Sequence, residues 1–446
     1  MTNPSGSQWK PQPAGAVWVA KQLDGFRRQH PDVLIFEELL RERTGTRLLD
    51  WIDHLHLTSV AGIEAAGFVR ASDGWYEHPG ALLPVVKQSS HDRMLLRIDS
   101  VSDFYVANCP RFSIEVTAGP WDLRREAILA RGKWPVEFGM IERNGCNIRT
   151  EVKLLTDRQK IDAQVVAELL RHRQRKFDNV MAGCDSVQQL IGQAIDMVGR
   201  DVACHLFFAA ERAYWQGRNR AGQVQFMRQS ALGVGWGNHD HHTYRSSRVG
   251  FARLITLLEE LGFKCRERFY AGLEAGWGAQ VLEHPTCGVV IFADVDLSSD
   301  EISADFSHHP LENKANLGTI GLWCALHGEA LFEGGMHHLE CQFDFDGARR
   351  QLAQFGVKCM KPFTDFPFLR QCFTEGERWQ VEPNRIAAAA HKGWITTDQA
   401  DRFAAEGAVG SHLEVLERND GYRGFNQTGI NEIIRKTDPR FLVIEG

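Results

Sequence analysis

Histidine is the residue with most to offer chemically in this chain. Eighteen are present. Several stand in groups: Asn238-His239-Asp240-His241-His242, His337-His338 and Asp53-His54-Leu55-His56. Neutral imidazole is the commonest metal ligand, and beside a carboxylate it holds divalent ions or moves protons. Cysteine offers less. The ten cysteines are scattered, with no Cys-x-x-Cys. That argues against a zinc ribbon or a disulfide framework, and for free, mostly buried thiols in a reducing cytoplasm.

Two of the histidine groups open copies of one pattern. HHTYRSSRVGFARLITLLEELGFKC (241–265) lies beside HHLECQFDFDGARRQLAQFGVKC (337–359) with a two-residue gap. Each copy has a His pair, a short strand, an amphipathic helix containing Ala-Arg, and a Gly-apolar-Lys-Cys ending. Self-similarity of this kind predicts two copies of one unit reading strand, helix, then strands. In the first copy Phe251, Ile255, Leu258 and Leu261 form the buried helix stripe, and strands follow over 279–282 and 288–295. The second copy closes on a strand over 410–418.

Neighbours on a strand face opposite ways, so one His of each pair faces a given pocket. His338, Glu340 and Gln342 share a polar face; Leu339, Cys341 and Phe343 share the apolar face that the helix covers. The same alternation groups His241, Thr243 and Arg245 against His242 and Tyr244. His241 and His338 are thus expected to face a shared centre, with a carboxylate as third ligand. Two imidazoles and one carboxylate suit Fe(II) and leave positions open for substrate. Arg245 has a planar fork that can pair both oxygens of a substrate carboxylate. The plainer readings are half-buried, hydrogen-bonded histidines and a surface ion pair at Arg245.

Rival sites exist. His54 and His56, with Glu142 in GMIERNG, fit a decayed third unit or a separate site. His239, His241 and His242 together would make a local zinc site, but alternation splits them between faces. Cys265 and Cys359 hold equivalent repeat positions, for which core packing is the simpler reason.

The elements that must position these residues fall into three segments. Residues 1–16, rich in Pro, Gly and Ser, read as a loose arm. Residues 17–230 read as mixed α/β followed by helices. A helical run over 36–49 breaks at Gly45, and strands are expected over 112–116 and 136–141. Thr156 and Asp157 cap a helix reaching Phe177, with Ile161, Val165, Leu169 and Leu170 on one stripe. Asp185 or Ser186 caps a second helix through Gln216. The change to Gly, Trp and His near residue 230 opens a third segment, 231–446. The whole is an α+β chain of 446 residues with 51 basic and 57 acidic residues, which disfavours a nucleic-acid binder. No apolar run reaches membrane-spanning length, so no membrane association is expected, and the opening residues lack a secretory pattern. Nothing in the sequence sets the oligomeric state.

Strand-helix units that open with His and close with Glu resemble the vicinal oxygen chelate superfamily, built from paired βαβββ modules. LEVLERNDGYRGFNQTG (413–429) resembles the metal-binding end of 4-hydroxyphenylpyruvate dioxygenases, where the Glu of a Leu-Glu-x-x-x-Arg run ligates iron. Within the superfamily the chain is most similar to bacterial 2-oxoadipate dioxygenase/decarboxylases. Asp240-His241-His242-Thr243-Tyr244-Arg245 resembles their Asp-His-apolar-x-x-Arg. Phe366-Pro367-Phe368-Leu369-Arg370-Gln371 resembles their Pro-apolar-Leu-Arg-Gln. Gly410-Ser411-His412 with Glu414 resembles their Gly-Ser-His…Glu-x-x-x-Arg ending. The likeness covers roughly 230–446, and the first 230 residues have no counterpart in it. It implies His241, His338 and Glu414 around Fe(II), with Mn, Zn or Ni as alternatives. Arg245 would hold a substrate carboxylate, Arg370 and Gln371 the far end of the substrate, and His412 would orient Glu414. The implied reaction consumes O₂ and a 2-oxo acid such as a 2-oxoadipate-like dicarboxylate, with decarboxylation. A non-oxidative isomerase, lyase or hydrolase of the same superfamily, or a non-catalytic ligand-binding protein, are the alternatives.

Overall fold

The structure is a computed structural model that describes residues 9–129, 135–149, 151, 154–273, 275–426 and 438–440. Part of the expected arm, 1–8, and of the C-terminal run, 427–429, lies outside these residues. The rest of the arm is not loose throughout: helix α1 (Pro13–Gln29) starts on a proline, whose fixed φ suits a first helical turn. Helix α2 (Pro31–Thr44) ends at Gly45, whose φ of 69° closes the turn as the sequence predicted.

Four strands follow, β1 (Ile52–Leu57), β2 (Val69–Arg70), β3 (Trp75–Glu77) and β4 (Val85–Gln88). Then come β5 (Asp92–Arg97), α3 (Val101–Asn108), β6 (Ile114–Thr117), β7 (Arg124–Leu129) and β8 (Val136–Arg143). Four helices come next: α4 (Asp157–Arg171), α5 (Val180–Val198), α6 (Arg200–Gln216) and α7 (Arg220–Ser230). The C-terminal half opens with β9 (His239–Arg245), α8 (Phe251–Glu260), β10 (Lys264–Tyr270), β11 (Trp277–Glu283) and β12 (Val290–Asp296), and α9 (Thr319–His327) crosses over. Its second part holds β13 (His338–Gln342), α10 (Phe345–Gln354), β14 (Thr364–Phe366) and β15 (Leu369–Phe373). After β16 (Glu377–Trp379), α11 (Pro383–His391) and α12 (Thr397–Glu406), it closes on β17 (Ala408–Arg418).

Among the described residues the strands make two sheets of the same design. The C-terminal order is β10-β11-β12-β9-β13-β17-β15-β14, with β16 on the side of β17. That is two βαβββ modules joined through their first strands, β9 and β13, which run antiparallel. The N-terminal order, β2-β3-β4-β1-β5-β8-β7-β6, is the same arrangement, joined through antiparallel β1 and β5. In its first module a run of turns over 61–67 stands where the helix would be. The protein is therefore α+β with paired βαβββ modules, and the pairing occurs twice.

The register fixes the equivalences. His241 pairs with Glu340, His242 with Leu339 and Thr243 with His338. A local two-fold through His242 and Leu339 then exchanges His241 with His338. Residues 246–250 separate β9 from α8, but only 343–344 separate β13 from α10, so the copies differ by three residues, not two.

The helical segment departs from its expected form. Helix α4 stops at Arg171, short of Phe177, and buries Ala163, Val166, Ala167 and Leu170. Ile161, Val165 and Leu169 of the expected stripe are exposed instead. The buried face is the one whose two alanines let α4 lie close against its neighbours. The expected helix from Asp185 begins at Val180, capped by Asn179, and breaks at Gly199, where φ is 81°. Helices α4–α6, grouped by sequence with residues 17–230, bury their apolar faces in one core with α8, α10 and the C-terminal sheet. Helix α7 ties the halves together: Gln225 and Arg228 donate to the Thr44 and Arg43 carbonyls at 2.9 and 3.0 Å. The predicted α8 stripe, Phe251, Ile255, Leu258 and Leu261, is buried throughout.

Candidate metal centre

The centre forms where the first strands of the two C-terminal modules meet. His241 on β9, His338 and Glu340 on β13, and Glu414 on β17 are all buried, and their ligand atoms lie within 4.8 Å of one another. Ligands bound at about 2.0–2.2 Å around one ion fall within such a spacing. His338 Nε2 is 3.1 Å from Glu414 Oε2, and His241 Nε2 pairs with Glu340 Oε2. Gln371 donates to Glu414 Oε1 at 3.1 Å and to Glu340 Oε1 at 3.3 Å.

The surroundings hold these groups in ligand form. Asp240 Oδ1 lies 3.1 Å from His241 Nδ1. Arg418 grips Asp240 with two bonds of 2.9 and 3.0 Å, and Gln342 adds a third at 3.0 Å. A carboxylate on one ring nitrogen fixes the tautomer and aims the other nitrogen's lone pair inward. That lone pair then faces the Glu340 carboxylate, a contact that a shared cation relieves. Burial pushes both imidazoles down, His338 to about 3, so they stay neutral. Burial also pushes the carboxylates up, Glu414 to about 7, and Glu340 well above the usual range, where repulsion from Glu414 adds to burial. Two neutral imidazoles and two buried acids lacking positive charge among them are the donor set a divalent cation fits.

The same cavity is lined by Thr243, Arg245, Asp294, His337, Gln371 and Asn426. Phe269, Trp277, Phe292, Phe363, Phe373 and Phe425 form its apolar walls. Buried Arg245 lies over the Trp323 ring, 5.7 Å from its centroid, and its Nε and Nη1 have no hydrogen-bond partner. His241, His338, Glu414, Arg245 and Gln371 are thus brought together, and Glu340 joins them. Three expected roles need correction. Arg370 is outside the cavity, bonded to Asp346 at 2.8 Å and Asp365 at 3.0 Å. Gln371 sits at the metal end, not at a far end. His412 bonds the Thr374 carbonyl at 2.9 Å and packs against the Phe373 ring, tilted by 31°, so it does not orient Glu414.

The rival sites resolve by geometry. His239 turns toward His242, with ring centroids 5.2 Å apart, on the face away from the cavity. Cys265 is exposed and is not the core residue expected, whereas Cys359 is half-buried and packs against the C-terminal core. A buried Cys204–His284–Cys287 cluster went unnoticed in the sequence. Its His284 Nδ1 already accepts the Thr286 and Cys287 amides, and Nε2 meets the Leu261 carbonyl at 3.0 Å.

His54 is the counterpart of His241, because β1, β5 and β8 repeat the register of β9, β13 and β17. Arg93 then stands at the position of His338, Leu95 at that of Glu340 and Gly139 at that of Glu414. The Asp53–Arg143 pair, 2.9 Å, repeats Asp240–Arg418. Glu142 is not a ligand. It accepts the Val101 amide that starts α3 at 2.7 Å, as Glu417 accepts the Phe345 amide that starts α10 at 2.8 Å.

Fold and centre together define a doubled paired-βαβββ protein with a buried two-His, two-Glu cluster. No family model and no curated protein matches the chain. Solved structures similar to it include a mutant 4-hydroxymandelate synthase from Streptomyces coelicolor, 13% identical over 76% of this chain and 95% of that one, TM-score 0.30. The 2,3-dioxygenase LapB from Pseudomonas sp. KL28 is 9% identical over 86% and 95%, TM-score 0.21. Methylmalonyl-CoA epimerase from Mycobacterium tuberculosis is 14% identical over 41% and 87%, TM-score 0.23. At such scores the architecture rests on the strand order and register above.

Proposed function

We propose that the protein is an Fe(II)-dependent dioxygenase that decarboxylates a 2-oxo acid. The observation that carries the reading is the meeting of His241, His338 and Glu414 in one cavity with the unpaired guanidinium of Arg245. His241, His338 and Glu414, with Glu340 beside them, would hold the ion. When bound, Fe(II) supplies a Lewis acid for the keto acid and electrons for O₂. Asp240 and Arg418 keep the His241 ring fixed. Gln371 restrains both carboxylates. The aromatic walls seat the substrate's carbon chain and exclude water, and Arg245 binds a carboxylate with its planar fork. By resemblance the substrate is a 2-oxo dicarboxylate, and both atoms of O₂ end in products.

Glu340 favours a second reading. As a fourth protein ligand it would leave less room on the ion, enough for a chelating substrate but not for O₂ as well. A non-oxidative isomerase, lyase or hydrolase using Mn, Zn or Ni would need no more. Elemental analysis of the isolated protein, followed by O₂ uptake and CO₂ release with 2-oxoadipate after anaerobic iron loading, decides between them. Iron with coupled uptake and release is expected. Absence of uptake with every 2-oxo acid tried would overturn the first reading.

A further inference from the structure

The metal cavity has a second polar pole. Arg245 lies four residues beyond His241 on β9, about 13 Å along the strand at the usual rise. Directly beside it, in register on β12, is Asp294. Both side chains are buried and both line the cavity. Neither makes a hydrogen bond or ion pair with any described residue, and two of the guanidinium nitrogens are left bare.

That separation is informative. Oppositely charged groups on adjacent strands in a buried pocket attract strongly, and an ionised Asp294 would be drawn onto the free donors of Arg245. A neutral acid has no such pull and keeps a proton to donate into the cavity. Burial acts in the same direction: it pushes Asp294 up to about 8, against the opposing effect of Arg245 and with a smaller upward one from Glu414. The titratable and charged groups that line the cavity with Asp294 are Arg245 and His241 on β9, His337, His338 and Glu340 at β13, and Glu414 on β17.

We propose that Asp294 is a specificity-determining residue that, together with Arg245, clamps a carboxylate at the end of the substrate remote from the metal. Arg245 donates through its fork and Asp294 donates its acid proton to the same carboxylate. With Arg370 outside the cavity and Gln371 at the metal, this pole is the part of the site able to read a far anionic end. The inference rests on the 2-oxo acid reading for the head group only.

The test compares 2-oxoadipate with 2-oxohexanoate, which has the same chain length but no far carboxylate. The full chain is loaded with Mn(II), and binding is followed by calorimetry under nitrogen, so that no turnover is needed. Wild type should bind 2-oxoadipate at least 10-fold more tightly. Asp294→Ala should erase most of that preference without weakening 2-oxohexanoate. Asp294→Asn keeps a donor and the side-chain shape, and should keep the preference; it should also keep it at pH 9, where wild type loses part of it. A thermal melt of each variant checks folding. Equal binding of the two acids by wild type, an Asn variant as poor as the Ala variant, or an equal loss on both acids would overturn the proposal. Binding that follows the expected pattern in a protein showing no O₂ uptake would leave the clamp standing while the dioxygenase reading falls.

Discussion

His241 has a carboxylate at each ring nitrogen, Asp240 at Nδ1 and Glu340 at Nε2. On the proposed reading Asp240 positions the ring while His241, His338 and Glu414 hold the ion, and the two roles make different predictions. Asp240→Asn frees the His241 tautomer and leaves the buried Arg418 without its partner. Metal affinity should fall by about 10–100-fold, and stability should drop by roughly 3–5 kcal/mol, read by competition with a chelator and by urea unfolding. His338→Ala should instead remove the bound metal, measured by elemental analysis, with little loss of fold. Arg370→Ala should leave metal content at the wild-type level. Strand alternation made much of this legible: it placed His241, His338 and Arg245 on one face before any geometry was known. It also showed Glu340 on that face, but one carboxylate was expected and Glu414 took the role. The same rule exposes the weakness of the Arg370–Gln371 assignment. Adjacent residues on β15 face opposite ways, so only one of them could line the cavity.

At the level of elements, the repeated device is a glutamate near the end of the last strand that anchors the start of the module's helix. Glu142 serves α3 and Glu417 serves α10, each accepting the first helical amide. The acid both takes an unsatisfied N–H and faces the positive end of the helix. Glu142 also pairs with the buried Arg125 at 3.0 Å. Glu142→Ala should therefore cost about 2–4 kcal/mol in a denaturant titration, while metal content stays unchanged. A ligand role for Glu142 would give the reverse result. The N-terminal pair of modules was hidden in the sequence because β2 and β3 are two and three residues long, and turns replace one helix. Only Asp-His on β1 and the Glu-Arg ending on β8 survive as signals. Gly139 shows why no counterpart of Glu414 stands there: a Cβ at this position would lie 2.5 Å from the Ala127 carbonyl, so a glutamate has no room. Helix α4 misled for a different reason. Its apolar residues are spread around the axis, and packing selected the face with alanines over the one with larger side chains.

Across the whole molecule, the C-terminal half encloses a large number of neutral histidines for its size. His242, His327, His337 and His412 are buried, and burial lowers each; His327 and His412 are pushed down to about 3. In the unfolded chain these rings take up protons near the ordinary value of about 6.5. The folded chain does not until far lower pH. Between these limits the unfolded state binds more protons, so stability rises with pH. It is complete above about pH 6.5 and is lost steadily as pH falls toward about 3. Each such ring costs roughly 1.4 kcal/mol per pH unit across that window, and four rings acting together make the loss steep. Asp240, held low by Arg418, adds its own loss only in stronger acid, as pH falls through its depressed value. The acids that burial raises, Glu414 to about 7, Asp294 to about 8 and Glu340, oppose this in the metal-free protein: their share of stability is full below about pH 4 and is lost as pH rises toward about 8. The expected outcome is a metal-free protein whose melting temperature is highest between about pH 4 and pH 6.5, where rings and acids offset each other, and falls on either side. Thermal melts in a pH series check this, and His412→Gln sharpens the test. Glutamine's amide can donate to the Thr374 carbonyl as the ring does but cannot take up a proton in this range, so the variant's melting curve should fall less steeply below pH 6. A slope unchanged by the substitution would place the acid sensitivity in other groups.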